Sequence, residues 1–227
     1  FANAGAGQRL PTYTDWYYKG PQNIGNDQLT PEYAWNFEGG FKYNNAKLNA
    51  SASYFHRTTD NFIDWVKDTV TNPWQPQNFH KIRTQGFTFA ADYRWSQDKV
   101  QNPDVALITG LSYTYLQSSI VDETSETGEP AKLSRYALEN LRHQLCANAN
   151  FEFFRTLNVT VAARYQQRVN YRDYTLLDTR ISFTQKRYSI YADVTNLTNE
   201  QYIEAGAVPM PGRWVTLGFK WAWDYKR

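Results

Sequence analysis

Long hydrophobic runs are what this sequence lacks most plainly. The longest apolar stretch lies around Val105 to Leu111, far short of the roughly 18 residues that a membrane-spanning helix needs. Mean hydropathy is −0.69. A transmembrane helix is thereby excluded. A transmembrane barrel is not, because its strands alternate apolar and polar residues and average to a hydrophilic composition. An excess of either charge is lacking too: 24 Lys+Arg stand against 22 Asp+Glu, a formal +2, with no basic run to engage nucleic acid. A single cysteine excludes an intrachain disulfide framework. No amino-terminal signal segment is present, and Phe1 opens within sequence that resembles the end of a strand. The expectation is a fragment whose targeting segment lies upstream.

Aromatic residues are abundant instead, at 17% of the chain, from 8 Trp, 17 Tyr and 13 Phe. They fall into a period of two, which argues strands. Between Leu141 and Phe153 the odd positions are Leu141, His143, Leu145, Ala147, Ala149, Phe151 and Phe153, and the even ones are Arg142, Gln144, Cys146, Asn148, Asn150 and Glu152. A soluble half-buried strand alternates in the same way but typically over about 5 or 6 residues. This segment is about twice as long, as a tilted strand must be to cross a bilayer.

The alternation recurs in segments that begin near Tyr33, Leu48, Phe87, Leu107 and Leu157, then over Tyr174 to Gln185, Tyr188 to Thr195 and Arg213 to Trp223. That predicts about nine strands plus a stub at Phe1–Ala4. No segment shows a helical period. The connections alternate in length, with short ones near Asn44–Lys47, Arg155–Thr156 and Gln185–Arg187 and a medium one at Ser96–Asp104. Long ones fall near Gly5–Glu32, Thr58–Asn78, Val121–Asn140 and Asn196–Gly212, with Val169–Asp173 a short member of that set. Outer-membrane barrels have short periplasmic turns and long extracellular loops, so the parity places the carboxy terminus in the periplasm. Aromatics gather at both strand ends: Tyr43, Tyr93, Trp95, Phe151, Phe153, Tyr188 and Trp223 beside short turns, and Trp35, Tyr54, Tyr113, Tyr115 and Tyr165 toward long loops. Two aromatic girdles are expected of such a barrel.

Three stretches carry a family resemblance. Arg9-Leu10-Pro11-Thr12, with Trp16-Tyr17-Tyr18, Gly25-Asn26-Asp27, Leu29-Thr30-Pro31-Glu32 and Glu38-Gly39, forms the first. Asn78 to Gly86-Phe87 is the second. The third is Asn196-Leu197-Thr198-Asn199 with Tyr202, followed by Pro211-Gly212-Arg213 ahead of the last strand. Together they resemble the barrel of TonB-dependent outer-membrane receptors. The resemblance implies an all-β transmembrane antiparallel barrel of about 22 strands with a plugged lumen, of which residues 1–227 would supply roughly the last ten strands. By the same resemblance the plug domain and the TonB-contacting region lie upstream, and the ligand is a large scarce nutrient such as cobalamin or a ferric siderophore. The Tyr17-Tyr18…Gly25-Asn26 run is slightly more similar to cobalamin receptors. TonB, the plug, outer-membrane lipid and the nutrient are the expected partners, with a surface lipoprotein as a further candidate. The chain departs from the usual aromatic end of such barrels by running on through Asp224 to Arg227.

Catalysis finds no support. His56, His80 and His143 form no cluster with metal-ligand spacing, and no cofactor or resident metal is implied. Cys146 falls on the polar face and suits a small space-filler. Asn158 and Asn196 match a glycosylation sequon, which is read as coincidence. Haem importers resemble the Arg9–Pro11 element but carry a nearby histidine, and Thr12 to Leu29 contains none. A structural turn at the barrel rim fits better. Glu38, Lys42, Asp92, Arg94, Arg142, Glu152, Arg164, Arg168, Asp178, Arg180 and Lys220 occupy the polar face, where charge must be paired or wet. Ligand contacts are expected from the loops around Asp15–Gln28 and Phe62–Phe79, at Tyr17, Tyr18, Asn23, Asn26, Trp65, Trp74 and Gln77, since aromatic and amide surfaces suit a large, neutral or chelated ligand. Thr124–Lys132, with Gly128 and Pro130, suggests a mobile loop. Two other readings remain: a passive porin, which needs no plug, and a soluble aromatic-rich glycan-binding β-protein, which needs no detergent.

Overall fold

The computed structural model describes residues 1–67, 69, 71–79, 81–95, 105–121, 133–134, 141–204 and 208–223. His80, Thr124–Lys132, the connection Ser96–Asp104 and the tail from Asp224 lie outside them. Ten antiparallel strands form one sheet: β1 (Ala2–Arg9), β2 (Glu32–Asn44), β3 (Leu48–Asp60), β6 (Lys81–Arg94), β7 (Val105–Val121), β9 (Leu141–Phe153), β10 (Leu157–Arg168), β11 (Tyr174–Thr184), β12 (Tyr188–Thr195) and β13 (Trp214–Trp221). They neighbour one another in chain order, skipping only a second sheet of β5 (Gln75–Phe79), β4 (Phe62–Lys67) and β8 (Leu133–Ser134). The fold is the all-β antiparallel barrel architecture that the alternation predicts.

Cross-strand register carries the two-faced pattern from strand to strand. Val159 opposes Ile181, Ile181 opposes Ala192, and Ala192 opposes Leu217. One residue along, Thr160 opposes Arg180, which opposes Asp193, which opposes Thr216. Directly opposed residues share a face, so an apolar row and a polar row lie back to back. The apolar row is uncovered, with Leu217 78% and Ile181 49% exposed. Exposed apolar side chains along such a row are unlike a soluble monomer and match a surface that lipid covers.

Two compact units divide the chain. Unit 1 comprises Phe1–Phe41, Ser53–Phe87 and Tyr115–Arg142, and unit 2 comprises Lys42–Ala52, Thr88–Thr114 and His143–Arg227. Within unit 2, Tyr93 and Trp95, Phe151 and Phe153, and Tyr188, Trp221 and Trp223 pack ring against ring beside the short turns. Within unit 1, Phe87 meets Tyr115, while Trp35 and Tyr54 are exposed.

Three expectations need correction. The first strand is no stub: β1 reaches Arg9, paired residue by residue with β2 from Ala2↔Gly39 to Arg9↔Glu32. Its Ala and Gly run carries no apolar alternation, so pattern reading stopped early. The connection after it holds a short helix, α1 (Tyr13–Tyr17), capped at Thr12, whose hydroxyl accepts from the Asp15 N–H while the Asp15 carboxylate accepts from the Thr12 N–H. Five residues are too few for a helical period to register. The long connection expected over Thr58–Asn78 is largely strand: β3 extends to Asp60, and β4 pairs with β5 from Phe62↔Phe79 to Val66↔Gln75. Ile63 and Val66 are buried there and give that hairpin a core of its own.

Candidate functional site

In unit 1 the long-loop ends of the strands carry a buried polar network. Arg9 closes β1 on the polar face, opposite Glu32 at the start of β2. Its guanidinium donates to both Glu32 oxygens, Nε to Oε2 at 3.0 Å and Nη2 to Oε1 at 2.9 Å. The same Glu32 Oε1 accepts the Ile63 N–H of β4 at 2.7 Å. Asp15 lies 3.7 Å from Arg9 and accepts the Trp65 indole N–H at 3.2 Å. Both carboxylates are nearly sealed, Glu32 at 4% and Asp15 at 6% exposed. One cation thus ties β1, β2, α1 and β4 together. This agrees with the structural reading of Arg9, and Pro11, two residues on, is buried.

The loop residues proposed for ligand contact gather around this network. Tyr18 packs its ring edge-on to Trp65 at 6.4 Å. Asn23 bridges to Trp74, whose backbone also bonds Gln22 and Ile24. The Asn26 amide donates to the Pro76 carbonyl at 3.0 Å, and its oxygen accepts from the Gln28 N–H. Gln77 stands opposite Asp64 in the β4–β5 pair, and the Lys67 ammonium sits 4.7 Å over the Trp74 ring. Asn23, Asn26, Trp65, Trp74 and Gln77 are therefore partly occupied in holding α1 and the small sheet in place. Tyr17 and Tyr18 are different: they are 53% and 44% exposed, and Tyr13, paired ring to ring with Tyr17 at 5.1 Å, is 78% exposed. These tyrosines form an exposed aromatic cluster at α1, and Tyr13 escaped sequence reasoning because nothing in a loop's pattern ranks one tyrosine over another.

Unit 2 explains the Asn196–Asn199 motif. Asn196 adopts φ 51° and is 4% exposed, its amide donating to the Glu200 carbonyl and its oxygen accepting the Glu200 N–H. Its own N–H bonds the Asp178 carboxylate at 2.7 Å, and Asn199 caps the Arg213 N–H at 2.9 Å. The motif shapes the turn that feeds β13. The connection beyond it carries Glu204 onto the polar face of β10 and β11, where it meets Arg164 at 3.2 Å and the Tyr174 hydroxyl at 3.1 Å. Burial pushes the Tyr202 phenol above its ordinary pKa, and the Glu204 carboxylate adds to the shift. Asp92 and Asn148 crowd over Gly110, where a Cβ would lie 2.7 Å from either side chain. Cys146 is half-buried and free. His143 stacks on Tyr113, with a 2.7 Å bond between the phenol and Nδ1. Among the described residues no His, Cys, Asp and Glu group could hold a metal.

The two-faced sheet and its capped polar face agree with what the chain matches. The model of the TonB-dependent receptor-like β-barrel fits residues 1–197. The chain belongs to this family. Members are outer-membrane β-barrels that act as receptors and transporters, not as enzymes. The vitamin B12 transporter BtuB of Photobacterium profundum is 24% identical over 209 residues, 89% of this chain and 32% of that protein. Among solved structures, the copper transporter OprC superposes with a TM-score of 0.72 at 18% identity, covering 96% of this chain and 36% of that one. The FrpB iron transporter from Neisseria meningitidis, in its F5-1 apoprotein form, gives 0.68 at 17% identity over 96% and 36%. At such identities the structures share the fold of this TonB-dependent barrel and nothing finer. The chain spans about a third of the length of each relative.

Proposed function

We propose that this chain forms the carboxy-terminal wall and binding loops of a TonB-dependent transporter, importing a large scarce nutrient such as cobalamin or a ferric siderophore. The observation that carries the reading is the combination of a lipid-type apolar face with a polar face over which the long connections fold. A bare channel wall would need both faces but not the long connections folded over the polar one. Strands outside residues 1–227 close the edges at β1 and β13, because unpaired N–H and C=O groups in hydrocarbon cost several kcal/mol each. The short turns and the carboxy terminus face the periplasm. An upstream plug fills the lumen, and pulling by TonB on that region opens the path for a ligand first held by the exposed loops. Tyr13, Tyr17 and Tyr18 present rigid aromatic surface for a bulky ligand. A partner surface lipoprotein would dock on the same side. The B12 transporter among the relatives favours cobalamin over iron chelates.

Uptake measures this directly. A strain lacking the gene should lose import of either radiolabelled cyanocobalamin or a ferric siderophore, and a protonophore should abolish that import in the parent strain. Unchanged uptake of both cargoes, or uptake that persists without energy, would overturn the reading and favour passive diffusion.

A further inference from the structure

The polar face of unit 2 holds a pair of cations that the surrounding protein satisfies only in part. Arg164, Gln166 and Arg168 occupy alternate positions of β10 and so project from one face. Gln166 opposes Tyr174, and Arg164 opposes Leu176, both of β11 and both buried. Arg164 has a partner, Glu204 at 3.2 Å. The Arg168 side chain makes no ion pair or hydrogen bond among the described residues, and its Nε is closed off from solvent with no acceptor there. Buried donors in folded proteins are almost always met by an acceptor, and a guanidinium is met best by an oxyanion presenting two oxygens. Around the pair stand the Tyr174 hydroxyl, within 2.6 Å of the Gln166 amide oxygen, and the Tyr202 ring, 4.5 Å from that of Tyr174.

The partner of Arg164 is unusual in its origin. Glu204 belongs to no strand; the connection between β12 and β13 delivers it. It gives Arg164 a carboxylate and leaves Arg168 without one among the described residues, although both guanidinium groups act electrostatically on the Tyr174 hydroxyl, on a face that the family's barrels turn toward the lumen.

We propose that Arg164 and Arg168 form an oxyanion subsite, whose Arg164 side Glu204 occupies when no cargo is bound and yields to a phosphate or carboxylate group of the ligand. The subsite rests on the transport reading for its ligand and adds one requirement, an anionic group on the cargo. Displacing Glu204 frees the β12–β13 connection, which the Met210 N–H otherwise ties to the Tyr202 carbonyl at 2.9 Å.

Calorimetric titration of the purified native protein with inorganic phosphate, and separately with citrate, tests this at low ionic strength, where such pairs are least screened. Glu204→Gln removes the competing carboxylate and should tighten binding of one of the two anions roughly threefold to tenfold, the scale of one part-exposed ion pair. Adding Arg168→Gln should abolish that gain. Arg168 has no ion pair among the described residues to lose, so that substitution is expected to leave folding intact, which heat-modifiable gel mobility verifies. Met210 amide exchange should quicken on anion addition in wild type. Failure of Glu204→Gln to tighten either anion, or a double variant that binds as tightly as Glu204→Gln, overturns the subsite. Both measurements are made without transport, so cargo uptake with no Glu204-dependent binding sinks this inference alone, and binding without uptake sinks the transport reading alone.

Discussion

Replacing Arg9 by Met keeps the aliphatic stem and removes the charge that holds two sealed carboxylates. Glu32 would keep the Ile63 N–H, and Asp15 would keep Thr12 and the Trp65 indole. Neither would keep a cation. Removing one partner of a fully buried ion pair costs about 3–5 kcal/mol. The Arg9 side chain is 45% exposed, so water screens part of that loss and the expected cost is about 1.5–3 kcal/mol. The loss is local, because Arg9 and Glu32 form the last pair of the β1–β2 ladder, where they hold α1 and the small sheet. Hydrogen exchange of the native protein in detergent is the fitting assay. Amides of Ile63 to Val66 should exchange about 10- to 100-fold faster, since each 1.4 kcal/mol is about tenfold, while amides of β10 and β11 stay unchanged. Lys81→Met is the control: its pair with Asp60 is 3.2 Å long but 47% and 43% exposed, so about 0–1 kcal/mol is expected. If Arg9→Met and Lys81→Met perturb exchange equally, or if Arg9→Met speeds exchange throughout the large sheet, burial is not what gives this network its strength.

Other outcomes follow from the two faces and the turns. Ala149→Arg puts a charge on the apolar face and should cost about 2–4 kcal/mol near the bilayer midplane, read as a lower unfolding midpoint in lipid, whereas Asn148→Leu on the polar face should cost less; the reverse ranking would exchange the faces. Gly218 lies under the Tyr191 ring, where a Cβ would collide with it, and that ring in turn stacks on the Arg180 guanidinium at 4.3 Å. Gly218→Ala should therefore cost about 1–3 kcal/mol, and in the Tyr191→Ala background much of that cost should vanish; additive losses would show that the ring is not the obstacle. Asn196→Ala strands the Glu200 N–H and carbonyl and should open the turn before β13 by about 2–4 kcal/mol, visible as faster proteolysis between β12 and β13, which an unchanged digestion pattern would contradict.

The order of the strands and their two faces were legible in the sequence, because lipid on one side and water on the other impose a period of two over lengths no soluble strand needs. That is why the pattern alone assigns Leu145, Val159, Leu217 and Phe219 to one face. The Asn196–Asn199 and Pro211–Arg213 motifs marked the turn before the last strand equally well, since a left-handed asparagine and its local hydrogen bonds are short-range features. What only the tertiary structure decided lies at the long-loop ends. The run Ala2–Gly7 is too small-sided to announce a strand, and α1 is too short to announce a helix; each is held by a neighbour distant in sequence. Glu32 is buried because Arg9 and Ile63 reach it, across 23 and 31 residues. Asn26 and Trp65, chosen as ligand contacts for their chemistry, turn out to bond Pro76 and Asp15, each 50 residues away. Arg164 and Arg168 share a face by strand period alone, but that Glu204 answers one of them and nothing among the described residues answers the other is a matter of how the last connection folds back. Periodicity reports the solvent on each side of a strand; it carries no information about which distant polar group will meet another, because that depends on chain closure and not on local pattern.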